Sequence, residues 1–304
     1  MIIFVEDRLS SDQTKLARQY MGGLAHVHTR LSNHPGHNES DLVLPVLISM
    51  LEKARLCTGE GGPIEYIMIN EHSSNPDRPK QLGKFSLRTD RLLRQRRRTV
   101  VQGIPVLFGL EVSMLSEGGT DMTDKLADHC AMVIASRHRL PPENEHNPDA
   151  IMTMLKQACH NPMIDVLGHP IRNIEGVREV NWKQIFAEAA TSGTAIEINL
   201  NLFMQEVNNS DCKLFWDEWL KLLGQSRVKV FIGVDLHNKS QVKKLVEQWT
   251  ALEGSDQVNN ELGQFFAALS LAGIEPKRVV SARYSRLQEW LRIDKMARSQ
   301  VLLA

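Results

Sequence analysis

The sequence predicts an α/β fold whose parallel sheet approaches a closed barrel. Seven short apolar runs of strand character are separated by segments of helical spacing. Residues of distinctive chemistry fall at the carboxyl ends of those runs, where loops converge in such folds. The length of 304 residues and an apolar fraction of 42% suit a sizeable core, and one domain is expected across 1–304.

The elements follow in order. LAHVHT (24–29) is the first strand-like run, and 42–56 has helical spacing with Pro45 in or before the first turn. IEYIMIN (64–70) is the second strand; 86–103 is expected to be helical and to end at its glycine. PVLFGLEVSM (105–114) and CAMVIAS (130–136) are strands, followed by a helix over 149–159 and a strand over 163–168. A helix over 182–191 leads to the strand AIEINL (195–200). The helix over 210–225 should be capped by Ser210 or Asp211. VKVFIGV (228–234) is the seventh strand, and 240–252 is helical. Helical stretches at 257–272 and 284–297 carry Phe265, Phe266, Leu269, Leu287, Trp290 and Leu291, and the segment of about 257–304 is expected to pack on the barrel.

Lysine plus arginine and aspartate plus glutamate each number 36, so net charge selects no partner, and any anion preference must be local. The opening MIIFVEDRLS is too short an apolar run for a signal peptide, and no run is long enough to span a membrane. The cysteines 57, 130, 159 and 212 form no CxxC pair. A cytoplasmic protein without a disulfide scaffold is the expectation.

Seven of the eleven histidines, His26, His28, His34, His72, His138, His169 and His237, stand with Glu111 and Asp235 where one polynuclear metal site could use them, and most of the nine end strand-like runs. Nitrogen donors mixed with carboxylates are what divalent transition metals bind. A lone HxH is commonly two ordinary strand histidines, but alternation puts His26 and His28 on one face. Glu111 sits between Leu110 and Val112, and a buried carboxylate there needs a partner that a cation would supply. His37, His129, His146 and His160 have no place in this pattern.

Taken together, the motifs resemble the PHP (polymerase and histidinol phosphatase) family. His26-Val-His28-Thr29 with Ser32, then His34, matches its opening motif. Asn70-Glu71-His72, Gly109-Leu110-Glu111, Ser136-Arg137-His138, Gly168-His169-Pro170-Ile171-Arg172 and Gly233-Val234-Asp235-Leu236-His237 follow in family order, and a late GIxPxxV turn runs from Gly273 to Val279. Asn33 and Glu71 depart from the family's usual aspartates, a change expected to act through hydrogen bonds around the ligands.

The resemblance implies a distorted (β/α)7 barrel holding three divalent ions, Zn, Mn or Fe. The first ion would take His26, His28, Glu111 and Asp235; the second would share Glu111 and add His138 and His169. The third would take His34, His72 and His237. Glu197 and Asn199 would orient ligands. His26, His28, Glu111, His169 and Asp235 would form the catalytic set, with in-line attack on phosphorus by metal-bound hydroxide. Arg172, Arg137 and Arg30 would grip phosphate oxygens.

The implied substrate is a phosphomonoester or small phosphorylated metabolite. A nuclease is the alternative, with the arginines of 88–98 (Arg88, Arg91, Arg94, Arg96, Arg97, Arg98) on a DNA or RNA backbone. A metal-stabilised subunit that binds a protein partner, or itself, through the C-terminal helices is a third reading.

Overall fold

The computed structural model describes residues 10–29, 41–57, 62–73, 98–115, 119–121, 130–138, 146–253 and 260–292. Eight strands form one sheet: β1 (Gly23–Val27), β2 (Tyr66–His72), β3 (Arg98–Val101), β4 (Ile104–Ser113), β5 (Val133–Ser136), β6 (Val166–Gly168), β7 (Ala195–Asn199) and β8 (Val230–Gly233). Seven of them run parallel in the order β1-β2-β4-β5-β6-β7-β8. Beyond β8 the chain returns to β1: Val234 N–H donates to Ala25 O at 2.8 Å, and His28 N–H donates to Leu236 O at 2.8 Å. The result is a nearly closed parallel barrel of seven strands flanked by helices.

The eighth strand corrects the sequence expectation of a helix over 86–103. Residues 86–97 lie outside the described residues, but β3 pairs antiparallel with the first half of β4, from Arg98↔Leu107 to Val101↔Ile104. Gln102 (φ 51) and Gly103 (φ 79) form the two-residue connection. Paired positive φ values are what a tight hairpin turn requires, so Gly103 closes a hairpin instead of ending a helix. β4 is long enough to share one edge, giving its start to β3 and its end to β5.

Ten α-helices are described: α1 (Ser10–Tyr20), α2 (Leu44–Lys53), α3 (Pro148–His160), α4 (Ile174–Val177), α5 (Trp182–Ser192), α6 (Leu200–Glu206), α7 (Ser210–Gln225), α8 (Lys239–Glu253), α9 (Glu261–Leu271) and α10 (Tyr284–Arg292). Pro45 lies in the first turn of α2, where a missing N–H costs nothing. The cap of α7 is Asn209, which accepts from Asp211 N and Cys212 N, not Ser210 or Asp211. Asparagine one residue earlier offers the same acceptor at better reach. Asn147, Asn181, Asn199 and Asn260 cap α3, α5, α6 and α9 in the same manner. Among the described residues, no helix is long and apolar enough to cross a membrane.

Two apolar layers result from strand alternation. Outward residues such as Ile67, Ile69, Val106, Phe108, Leu167, Ile196 and Ile232 meet the helices. Inward residues Ala25, Tyr66, Met68, Leu107, Ile134, Val166, Ala195 and Phe231 fill the barrel floor, and Leu287 and Trp290 of α10 close it from below. Above this floor the candidate ligands gather.

Candidate metal centre

β1 sets the geometry of the first motif. Strict alternation would put Ala25 and Val27 on one face and His26 and His28 on the other. Instead the register shifts between Leu24 and Val27, and His26 takes φ 62. Ala25 therefore belongs to the barrel floor and Val27 to the outer layer, while the rings of His26 and His28 face the other histidines. His169 (φ 24) and Asp235 (φ 48) also hold left-handed backbone. Such conformations cost about 1–3 kcal/mol each in a residue with a Cβ and collect where function over-determines the chain.

Glu111, buried on β4, is the hub. Its Oε1 lies 2.9 Å from His169 Nε2, 3.3 Å from His26 Nε2 and 3.4 Å from His138 Nε2. Its Oε2 lies 2.8 Å from His72 Nδ1 and 3.3 Å from His28 Nε2. Asp235 Oδ1 stands beside this hub, 2.9 Å from His237 Nε2, 3.5 Å from His28 Nε2 and 3.9 Å from His26 Nε2. The His28 ring stacks on those of His72 and His237, with centroids 4.3 and 4.1 Å apart.

Donor atoms close enough to share a cation form three overlapping triplets: His26–His28–Glu111, His72–Glu111–His138 and His28–His72–His237. These triplets bring candidate ligands together. His26, His28 and Glu111 converge beside Asp235, and His72 converges with His237. His138 shares its triplet with His72, while His169 reaches Glu111 directly. His34 lies outside the described residues, as do His37, His129 and Arg30. His146 is exposed, and His160 pairs with Glu188 at 3.0 Å on the surface.

The electrostatics suit cations. Burial opposes ionisation of Glu111, yet His26, His138 and His72 hold its carboxyl well below the usual range. Burial likewise opposes Asp235, and His237 and His28 hold it low. Burial, with His28 alongside, pushes His72 and His237 down, which leaves neutral imidazoles with lone pairs to give. Against their burial, Glu197 and Glu111 push His26 up, and Asp235 and Glu111 push His28 up to about 9. Protons on these two rings answer the buried carboxylates in the positions where cations would. His26 Nε2 and His138 Nε2 are buried without a hydrogen bond among the described residues. A cage of inward-facing nitrogens around two ionised carboxylates fits divalent metal ions.

Supporting groups surround the cage. Glu197 Oε1 sits 2.6 Å from His26 Nδ1, and Oε2 accepts the His169 N–H at 2.5 Å. Asn199 donates from Nδ2 to Asp235 Oδ2 at 3.2 Å while its carbonyl caps α6. Glu71 accepts from both the amide and the hydroxyl of Thr29, bracing the turn after His28. Arg172 is exposed beside His169. Arg137 is only 2% exposed and donates to the carbonyls of Arg172 and Asn173, so its guanidinium is engaged beneath the His169 loop and does not stand open to a phosphate. Of the arginine-rich segment, only Arg98 falls within the described residues, in β3.

Sequence reasoning missed Ser113, Ser73 and Asp121. Asp121 Oδ1 accepts from Ser73 Oγ at 2.6 Å and from Ser113 N at 2.8 Å, and Ser113 Oγ lies 2.9 Å from His138 Nδ1. Ser73 follows His72 and Ser113 stands two residues after Glu111, a local hint that only the fold makes readable.

No family model matches the chain. A probable phosphatase of Syntrophotalea carbinolica is 26% identical over 185 residues, which is 59% of this chain and 65% of that protein. The match thus spans just under two thirds of that relative. A probable phosphatase of Thermoanaerobacter sp. is 26% identical over 203 residues, 64% of this chain and 71% of that one. The DNA polymerase/3'-5' exonuclease PolX of Bacillus subtilis is 25% identical over 235 residues, 75% of this chain but 38% of that one. Among solved structures, a histidinol phosphate phosphatase from Lactococcus lactis superposes with a TM-score of 0.47 at 14% identity, covering 82% of this chain and 93% of that one. Over 59–75% of its length the chain is thus similar to probable phosphatases and to PolX, and its motif order resembles that of PHP-domain proteins.

Proposed function

We propose that the protein is a metal-dependent phosphoester hydrolase acting on a phosphomonoester or a small phosphorylated metabolite. The observation that carries this reading is the convergence of five histidines on the single buried carboxylate of Glu111, with Asp235 alongside. His26, His28, His72, His138, His169, His237, Glu111 and Asp235 would hold the ions, with His34 completing the set. Divalent ions so held supply positive charge for phosphate oxygens and acidify water at neutral pH. Nitrogen-rich ligation fits Zn, Mn or Fe.

The chain's own part is to hold and orient. Glu197 fixes the ring of His26 and the backbone of His169, Asn199 fixes Asp235, and Ser113 fixes His138. Ser113 and His138 form no nucleophilic pair, because Ser113 is 3% exposed and lies behind the ring it binds. Arg172, exposed next to His169, would meet a phosphate oxygen.

Nuclease action is the second reading, and the similarity to PolX favours it, since the matched 235 residues cover 75% of this chain. One comparison tests both. Protein whose metal content has been measured is given an aryl phosphomonoester, histidinol phosphate, a mononucleotide and an end-labelled single strand, with and without chelator. Phosphate release from the small substrates, lost on chelation and restored by metal, supports the phosphatase; shortening of the strand supports the nuclease. No turnover of any substrate by metal-loaded protein would overturn both.

A further inference from the structure

We propose that Asp121 is a positioning residue that shapes one cation position of the cage, the one bounded by His72, Glu111 and His138. Its carboxylate is buried, 7% exposed, and stands behind that face of the site. Through Oδ1 it takes the Ser73 hydroxyl at 2.6 Å and the Ser113 amide at 2.8 Å, and its own N–H returns to Ser113 O at 3.1 Å. Ser73 is the residue after His72, and its amide donates to Glu111 O at 2.8 Å. Ser113 extends β4 beyond Glu111, and its hydroxyl meets His138 Nδ1 at 2.9 Å. With Nδ1 so engaged, His138 presents Nε2 to the cage, 3.4 Å from Glu111 Oε1.

One carboxylate therefore ties together the ends of β2 and β4 and the residue that follows β5 by two. These segments deliver His72, Glu111 and His138, one of the three donor triplets. Glu197 serves the other side, through His26 and His169. The site thus has two separate supports, and the loss of one should be felt unequally by the ions. Hydrogen-bond partners behind metal-binding histidines are typically worth about 10–100-fold in affinity.

The inference rests on the three-ion reading of the site. Its test measures metal per chain by mass spectrometry, and stepwise affinity by competition with a chromophoric chelator. Wild type, Ser113→Ala, Asp121→Ala, Asp121→Asn and the surface control Asp217→Ala are compared. Thermal unfolding of each metal-free protein is followed in parallel. Ser113→Ala removes only the hydroxyl that meets His138 and keeps the amide bond to Asp121, so it isolates that last link, while Asp121→Asn keeps the side-chain volume and reports on Asp121 even if Asp121→Ala fails to fold. The expected result is that Ser113→Ala and Asp121→Ala weaken one ion about 10–100-fold and spare the others, with Asp121→Asn between them and wild type. A full complement at wild-type affinity in Ser113→Ala and Asp121→Ala overturns the role of Asp121. A wild-type protein that takes up no metal overturns the site reading itself, a different and separately visible failure.

Discussion

Glu197 Oε1 lies 2.6 Å from Nδ1 of His26, and the same carboxylate accepts the backbone N–H of His169 through Oε2. One buried side chain on β7 thus fixes a ring from β1 and a loop from β6. Both partners are donors, so an amide in its place cannot satisfy both, because its NH2 must face one of them. Glu197→Gln should weaken metal binding by about 10–100-fold with little change in side-chain volume. Chelator competition measures it. Wild-type affinity in this variant would reduce Glu197 to a structural polar group.

The motif glycines follow from the same crowding. A Cβ on Gly233 would fall 1.7 Å from Glu197 Oε1 and 3.1 Å from the Cβ of His26. On Gly168 it would fall 2.1 Å from Ser136 Oγ, and on Gly109 it would fall 2.5 Å from Asn70 Nδ2. Each glycine lies below a ligand and leaves room for a polar side chain under the cage. Gly233→Ala should displace Glu197, lower metal affinity at least as much as Glu197→Gln does, and destabilise the fold by about 1–3 kcal/mol through overpacking. Denaturant unfolding and metal titration on one preparation measure both. A variant with unaltered binding would mean that Glu197 can move without consequence.

Much of this was legible in the sequence, because ligand type and strand period are local properties. From the apolar runs, His26, His28, His169 and Asp235 could be placed near strand ends and Glu111 within a strand. What escaped depends on backbone sign or on distant partners. The bulge at His26 leaves no trace in hydrophobic order, since Ala25 is small enough for either face. The Arg98–Gly103 hairpin was read as a helix end because glycine serves both turns and caps. Arg137 looked like a phosphate ligand by its neighbours, and only the fold brings the carbonyls of Arg172 and Asn173 to it. Asp121 sits outside any periodic segment, so nothing but three-dimensional contact could single it out.

The late glycine-proline turn has a mechanical role. Gly273 (φ 75) follows α9, and Pro276–Arg278 forms a short 3-10 turn that brings Arg278 to the end of α7. Its guanidinium donates to Leu223 O and Gly224 O at 2.8 Å and to Val228 O at 2.9 Å. Leu223 O also accepts from the amide and hydroxyl of Ser226, and Arg278 adds a cation to these terminal carbonyls of α7 on the favourable side of the helix dipole. Arg278→Ala should cost about 2–4 kcal/mol in unfolding free energy, and Arg278→Lys less, since an ammonium reaches fewer acceptors at once. Metal affinity should hold in both, because this staple lies on α7 and the chain leading into β8. Equal stability of all three proteins in denaturant would show the staple to be idle.

Glu206 offers a pH-dependent test away from the metal cage. It lies at the end of α6, half-buried, and accepts the indole N–H of Trp216 at 2.8 Å. Burial raises its pKa above the ordinary glutamate value, and the Trp216 hydrogen bond opposes that rise only in part. The folded protein therefore binds this proton more tightly than the unfolded chain does. The stability this provides is fully present below the unfolded value of about 4.3 and is lost as pH rises through the folded value. Glu206→Gln keeps an acceptor for Trp216 and carries no charge. Its melting temperature relative to wild type should climb between about pH 4 and about pH 8, since only wild type must bury a carboxylate at the upper end. Calorimetry or circular dichroism across that range reads the difference directly. A relative melting temperature that falls with pH would mean that the ionised carboxylate is the favoured partner of Trp216, and that its burial is compensated by the indole.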